Sequence, residues 1–399
     1  MHSGFPKRRD SKILKKSYNK TMNLLFLMNA FKGTLTSKEL NSMLEDYFMD
    51  DETESIPFSD GGDGFSDMMK SLLGKQCRSI ETEVHSPYLG KTRKADYLLF
   101  EKEAYLESAA AIGYRLEERK DVLHATSYPL GEMIKDALDH EANEINIGLG
   151  GSITNDMGSG ILEALGVRFY DSFHNIIHPM GNNLDLIQDM DLDRLDPRVE
   201  NVKFCLFSDV TNPLLGKNGA TYVYARQKGA SEEDLPKLEK GMENLASVYQ
   251  KKCKKNLQSR KGTGAAGGIP MAFLSFMDAT IVSGADFLLS QKKTEEKLKE
   301  ADLIFTGEGR LDSSSLSGKG SVAVLEKRDA LGSKAEVVLL VGSIEEETKQ
   351  KLLKKYSDLR IIKMVDNALF YPISIRRKKA SEIFRATLKM NFCLDQKKK

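Results

Sequence analysis

One unit recurs along this chain and limits what it can fold into: a short apolar run, then a loop of glycine with Asp, Asn, Ser or Thr. The run 24–28 is followed by Lys32 and Gly33. Ile145, Ile147 and Leu149 lead into Gly150, Gly151 and Ser152. The run 204–207 leads into Ser208 and Asp209, and the run 303–306 into Gly307, Glu308, Gly309 and Arg310. Apolar runs this short predict buried strands. Their alternation with helical patterns is the grammar of an α/β fold. Further strands are predicted at 55–58, 336–341 and 360–365, and a charged helix at 292–301. Thr36 and Glu39 form a capping box, opening a helix with Leu40, Met43, Leu44, Tyr47 and Phe48 on one face. A second helix is predicted from Leu130, Met133, Ile134 and Leu138. The segments 94–100 and 103–107 predict antiparallel strands. They point to a second α/β domain, with a mixed sheet, inserted into the first.

Charge and composition remove several functional classes. The 59 basic and 58 acidic residues nearly cancel, which argues against a nucleic-acid partner. Basic residues crowd 1–21 and the last three positions, and are read as solvated tails. The cysteines Cys77, Cys205, Cys253 and Cys393 stand far apart, so no metal-knuckle spacing exists. A reducing, cytoplasmic setting follows. Asn29 interrupts the apolar run 23–31, and no stretch approaches the roughly 20 apolar residues of a membrane span. Met22 is expected to begin the folded chain, with residues 1–21 dispensable and disordered. The histidines form no HxH or HExxH pattern, and His174 and His178 fall in an expected loop, which argues against a zinc hydrolase. Gly262 to Gly267 spell G-x-G-x-x-G, but a basic polar segment precedes them where a dinucleotide site needs a strand. Gly318 and Lys319 lack the rest of a Walker A loop.

The residues left to carry chemistry cluster after the strands. In open α/β sheets, ligands bind beyond the carboxyl ends of the strands. A glycine loop running into a helix lets backbone N–H groups approach an anion. That describes Gly150, Gly151, Ser152, Thr154, Asn155 and Asp156. The acids Asp60, Asp63, Asp156, Asp209, Glu308 and Asp312 all stand beside glycine or small polar residues. With Lys32, Arg310 and Lys319 they supply what phosphoryl transfer requires: cations and a divalent metal against phosphate charge, and a carboxylate for the substrate hydroxyl.

Taken in order, these motifs resemble those of the type II (bacterial) glycerate kinases. Phe31-Lys-Gly-Thr-Leu35 resembles that family's FKG loop, Asp60-Gly-Gly-Asp-Gly64 its DGGEG, and Gly150-Gly-Ser-Ile-Thr-Asn-Asp156 its GGSATND. Asp209-Val-Thr-Asn-Pro-Leu-Leu-Gly216, Gln227-Lys-Gly-Ala230 and Gly264-Ala-Ala-Gly-Gly268 have counterparts there too. So does Thr306-Gly-Glu-Gly-Arg-Leu-Asp312 with Gly318-Lys319. The resemblance spans about residues 22–370. It implies a flavodoxin-like parallel-sheet domain made from both chain ends, 22–70 and 290–390, an inserted α/β domain at 71–289, and a basic tail at 391–399.

It further implies a Mg²⁺- and ATP-dependent kinase of D-glycerate acting at the 2-hydroxyl in a cleft between the domains, as a monomer or homodimer. Asp60, Asp209 and Lys32 are then the catalytic candidates. Gly150, Gly151, Ser152, Thr154, Asn155, Asp156, Asn212, Glu308, Arg310 and Lys319 are the substrate and phosphate candidates, and Asp209 and Asp312 the metal candidates. One departure stands out: Asn29 and Ala30 replace an Asp-Ser pair usual in the family. The alternatives are a kinase of another small hydroxy acid and a catalytically impaired ligand-binding relative.

Overall fold

The computed structural model describes residues 22–392, apart from 118, 318 and 319. The expectations for residues 1–21 and for Lys319 lie outside the described residues.

In chain order the strands are β1 (Asn23–Met28), β2 (Glu52–Ser55), β3 (Arg78–His85), β4 (Thr92–Phe100), β5 (Glu103–Glu107), β6 (Glu144–Gly148), β7 (Arg168–Tyr170), β8 (Ile176–Ile177), β9 (Asp189–Asp191), β10 (Lys203–Phe207), β11 (Asp278–Val282), β12 (Leu303–Leu311), β13 (Glu336–Ile344) and β14 (Leu359–Lys363). The chain divides into two units. One comprises the residues up to Phe58 and from Leu289 on; the other is Ser59–Leu288.

The first unit holds a five-stranded sheet in the order β14-β13-β12-β1-β2. Every neighbouring pair is parallel. Read along the chain this is the flavodoxin-like order 2-1-3-4-5, whose switch point lies between β1 and β12. β1 is buried from Leu24 to Met28, as an apolar strand covered on both faces must be. Phe26, Phe48, Phe305 and Phe392 pack together with ring centroids 5.1–6.2 Å apart. The capping box at Thr36 is present, and it opens the helix Ser37–Tyr47. The Asn41 carboxamide accepts from Met28 N–H at 3.2 Å and donates to the Ile56 carbonyl at 3.2 Å, tying this helix to the ends of β1 and β2.

Three details differ from the sequence reading. β2 lies at 52–55 rather than 55–58, because Phe58 N–H goes to the Ser37 hydroxyl at 2.8 Å instead of to a sheet partner. β12 runs through Gly307, Glu308, Gly309 and Arg310, which were read as a loop. The glycines are there because backbones meet: a Cβ on Gly307 would lie 2.0 Å from the Leu340 carbonyl oxygen, and one on Gly342 would lie 2.4 Å from that of Gly309. Last, the helix Ile373–Asn391 and buried Phe392 belong to the fold, so a tail beginning at 391 is set too early.

The second unit holds a mixed sheet in the order β11-β10-β6-β5-β4-β3 and a small antiparallel sheet β8-β7-β9. β11, β10, β6 and β5 run parallel, while β4 and β3 are antiparallel. The crossing into this unit comes at Ser59 rather than after residue 70. Phe65 packs against Phe207 with tilted rings 4.9 Å apart and fills the space left by Gly148, so the helix Phe65–Leu73 is committed to the mixed sheet.

Candidate active site

In the second unit, the carboxyl ends of β5, β6, β10 and β11 bring together loops far apart in sequence. Gly61 (φ +92°) lies against the end of β10: a Cβ there would come within 2.4 Å of the Phe207 carbonyl oxygen. Only glycine meets both the left-handed backbone and the contact. A Cβ on Gly150 would come 2.3 Å from Gly62 Cα, so the 60–64 and 150–156 loops touch backbone to backbone. Asp209 N–H donates to the Asp60 carbonyl at 3.1 Å. The helix Phe65–Leu73 is held at its start by Glu107, whose carboxylate accepts from Gly64 N–H at 3.2 Å and Ser66 N–H at 3.1 Å. Ser108 accepts from Gly150 N–H at 3.1 Å and donates to its carbonyl at 3.0 Å. Asp63 pairs with Arg115 at 2.8 Å.

Asp209 is the electrostatically exceptional group. Both carboxylate oxygens are closed off from solvent without a well-formed hydrogen bond. Burial pushes its pKa up to about 6. The Ser283 hydroxyl and the Gly284 amide pull it back, while the charges of Asp60 and Asp286 raise it further. Such a carboxylate can take a proton near neutral pH. Its orphaned oxygens and acidic neighbours would also suit a cation. No group of three or more metal-ligating side chains occurs among the described residues. That is compatible with Mg²⁺, which usually uses one or two protein carboxylates and substrate phosphates.

The predicted phosphate loop has a different part to play. Ser152, Thr154, Asn155 and Asp156 are all buried. The Asp156 carboxylate accepts from Ser127 N–H (2.6 Å), Ser127 Oγ (2.7 Å), Gly158 N–H (3.2 Å) and Gly160 N–H (3.3 Å). Asp156 therefore braces the turn into the helix Ser159–Ala164, whereas Thr154 Oγ1 and Asn155 Oδ1 are buried without a hydrogen-bond partner. Gly150 N–H is likewise engaged by Ser108, and Gly150 and Gly151 are the partly exposed residues of the turn. Asn212 is held within its own loop. Its carboxamide donates to the Asn218 carbonyl at 2.8 Å and accepts from Tyr224 at 2.8 Å.

Lys228, in the 227–230 motif, was not among the candidates, yet it lies under this loop. It is 3% exposed. Its ammonium donates to the Thr154 carbonyl at 2.7 Å and to Ser152 Oγ at 3.3 Å. Burial lowers its pKa to about 7, against the raising effect of the Asp156 charge. An unfolded lysine titrates near 10.4, so between about pH 7 and 10 the unfolded chain holds the extra proton and stability rises with pH. Urea unfolding across this window is expected to show that rise in the parent and its loss in Lys228→Met. An unchanged slope would contradict the buried-ammonium assignment.

The first unit has its own cavity of about 440 Å³, at the switch point. β1 pairing ends at Met28 opposite Gly307, and β12 continues past it paired with β13. Glu308 and Arg310 therefore project where β1 has stopped. Lys32, Glu308 and Arg310 all line the cavity, as do Asn29 and Ala30. Glu308 accepts from Ser321 Oγ at 2.6 Å and N–H at 3.3 Å, at the start of the helix Ser321–Ala330. Arg310 is paired with Asp312 at 3.5 Å and Glu345 at 3.3 Å. The sequence candidates thus form two groups: Asp60, Asp209 and the Gly150–Gly151 turn in one unit, and Lys32, Glu308, Arg310 and Asp312 in the other. The metal candidates Asp209 and Asp312 fall in different units.

The model of the glycerate kinase family matches residues 24–379. The chain belongs to the glycerate kinase family. It is therefore a kinase, an enzyme that transfers a phosphoryl group. Within the family it is similar to the glycerate 2-kinase of Escherichia coli K12, with 35% identity over 76% of this chain and 81% of that one. It is 33% identical to a glycerate kinase of Bacillus subtilis 168, over 82% and 86% of the two chains. A crystal structure of a proposed glycerate kinase 2 from Salmonella typhimurium LT2 superposes with a TM-score of 0.69 at 29% identity, covering 93% of this chain and 98% of that one. No helix among the described residues is long and apolar enough to cross a membrane.

Proposed function

We propose that this member of the family transfers the γ-phosphoryl group of ATP to the 2-hydroxyl of D-glycerate, with Mg²⁺. The observation that carries the reading is Asp209, a sequestered carboxylate with a pKa of about 6 beside Asp60 at a strand end, in a chain of this family. Asp209 accepts the hydroxyl proton as the glycerate oxygen bonds to the γ-phosphorus and the bond from phosphorus to the ADP oxygen breaks. Lys32 and Arg310 offset phosphate and carboxylate charge. Asp60, in the same unit as Asp209, would hold Mg²⁺, which would supply charge neutralisation on the phosphates. Preorganised charges of this kind do most of the work in phosphoryl transfer.

The test is a panel of small hydroxy acids assayed for ADP release with MgATP. D-glycerate is expected to give a kcat/KM at least about tenfold above lactate, tartronate or glycolate, because a carboxylate and two hydroxyls leave no polar group of the site unpaired. Equal or faster turnover of another hydroxy acid would replace glycerate as the substrate. No ADP release with any of them would sink the kinase reading itself.

A further inference from the structure

The cavity in the first unit is too large and too apolar on one side for a three-carbon acid. Its inner wall is formed by Met364, Ala380, Ile383 and Phe384, each less than a tenth exposed. Its outer part carries Lys32 and Arg310, both exposed. Its volume of about 440 Å³ lies within the roughly 300–1,000 Å³ of small-molecule sites, which combine an apolar lining with a few placed polar groups. The acids lining it are held by neighbours. Glu308 is bonded to Ser321, and Asp366 accepts from Tyr371 Oη at 2.7 Å and Asn367 N–H at 2.7 Å. At the end of β1 stands the neutral Asn29, which accepts from Ala30 N–H at 2.8 Å. The cavity therefore grades from an apolar floor to a charged mouth where Lys32 and Arg310 are exposed, at the point where open sheets of this topology bind ligands.

A ligand matching that gradient has a flat apolar body at one end and several negative charges at the other. We propose that this cavity is the nucleotide site, with the purine base against Met364, Ala380, Ile383 and Phe384 and the phosphates toward Lys32 and Arg310. The inference rests on the reading of the chain as an ATP-dependent kinase, and it adds where the donor sits and what recognises it. Glycerate, polar over its whole surface, would leave the apolar wall uncovered and gain nothing from it.

The experiment photolyses the full-length protein with 2-azido-ADP and Mg²⁺, with and without excess ADP, and maps the labelled residues by mass spectrometry. The same preparation is assayed for glycerate phosphorylation. Turnover together with ADP-protected label on residues 364–369 or 380–384 is expected. Label there without glycerate turnover supports the nucleotide site and overturns only the substrate reading. Turnover with the label confined to 59–288 overturns the assignment and leaves the kinase reading standing. Absence of protected label anywhere also overturns it. Two variants give an independent readout. Ala380→Leu narrows the floor, and Leu369→Asp places a charge on the half-exposed rim. Each is expected to raise the KM for ATP by about tenfold or more, near 1.4 kcal/mol, while the KM for glycerate stays within about twofold. Equal rises in both KM values would contradict the proposal.

Discussion

An Asp209→Asn enzyme is expected to lose at least about a thousandfold in kcat, within the range for removal of a general base, and to become more stable as it does so. The two effects share one cause. Burial beside Asp60 and Asp286 raises the Asp209 pKa to about 6, against about 3.9 in an unfolded chain. Between those values the folded state holds the extra proton. Stability therefore falls as pH rises through this interval, and the full cost of the buried charge is present above pH 6. The displacement corresponds to about 2–3 kcal/mol. Asparagine is nearly isosteric and removes the charge, so at pH 7.5 the variant should gain on the order of 1–2 kcal/mol in urea unfolding. In the parent, kcat/KM should rise on its acid limb with a pKa near 6. A variant that keeps its turnover, or a purely structural loss in which activity falls together with stability, would remove Asp209 from the reaction.

Asp156→Ala is expected to do the reverse, costing about 3–5 kcal/mol of stability, the range for breaking a buried ionic arrangement by removing one partner. The carboxylate is fully buried and accepts from Ser127, Gly158 and Gly160. Alanine leaves those N–H groups without an acceptor and the nearby Lys228 ammonium without its counter-charge. Adding Lys228→Met should return part of the loss. A double-mutant cycle would show coupling of about 0.5–3 kcal/mol, as for residues in one network. Additive costs would mean that the two groups do not share a network. A phosphate ligand in place of this structural part would instead leave stability nearly unchanged and raise the KM for ATP.

These two aspartates show what the sequence could and could not reveal. Both lie in loops that follow a strand, beside a small polar residue, and residue type alone separated neither from Asp60 or Glu308. The apolar runs disclosed the sheets because burial on both faces leaves a continuous hydrophobic signature, as in β1 and β13. The polar edge strand β2, Glu-Thr-Glu-Ser, left no such mark. Gly307 to Arg310 were taken for a turn, since nothing local tells a glycine needed for φ from one needed for a neighbouring backbone. Lys228, Glu107 and Ser108 escaped notice because their task is to hold a loop distant in sequence. The motif at 227–230 was the one available signal for Lys228. The expected domain bounds already put Asp209 and Asp312 in different units, but they left Asp60 apart from Asp209, because nothing local marks the crossing at Ser59.

The account turns on phosphoryl transfer to one particular oxygen of glycerate. Incubating the protein with D-glycerate and MgATP and following proton-coupled phosphorus resonances tests it directly. The prediction is a new phosphomonoester doublet, from phosphorus coupled to the single proton on carbon 2, formed by the parent and abolished in Asp209→Asn. A triplet from a 3-phosphate, or no phosphorylated glycerate at all, would contradict it.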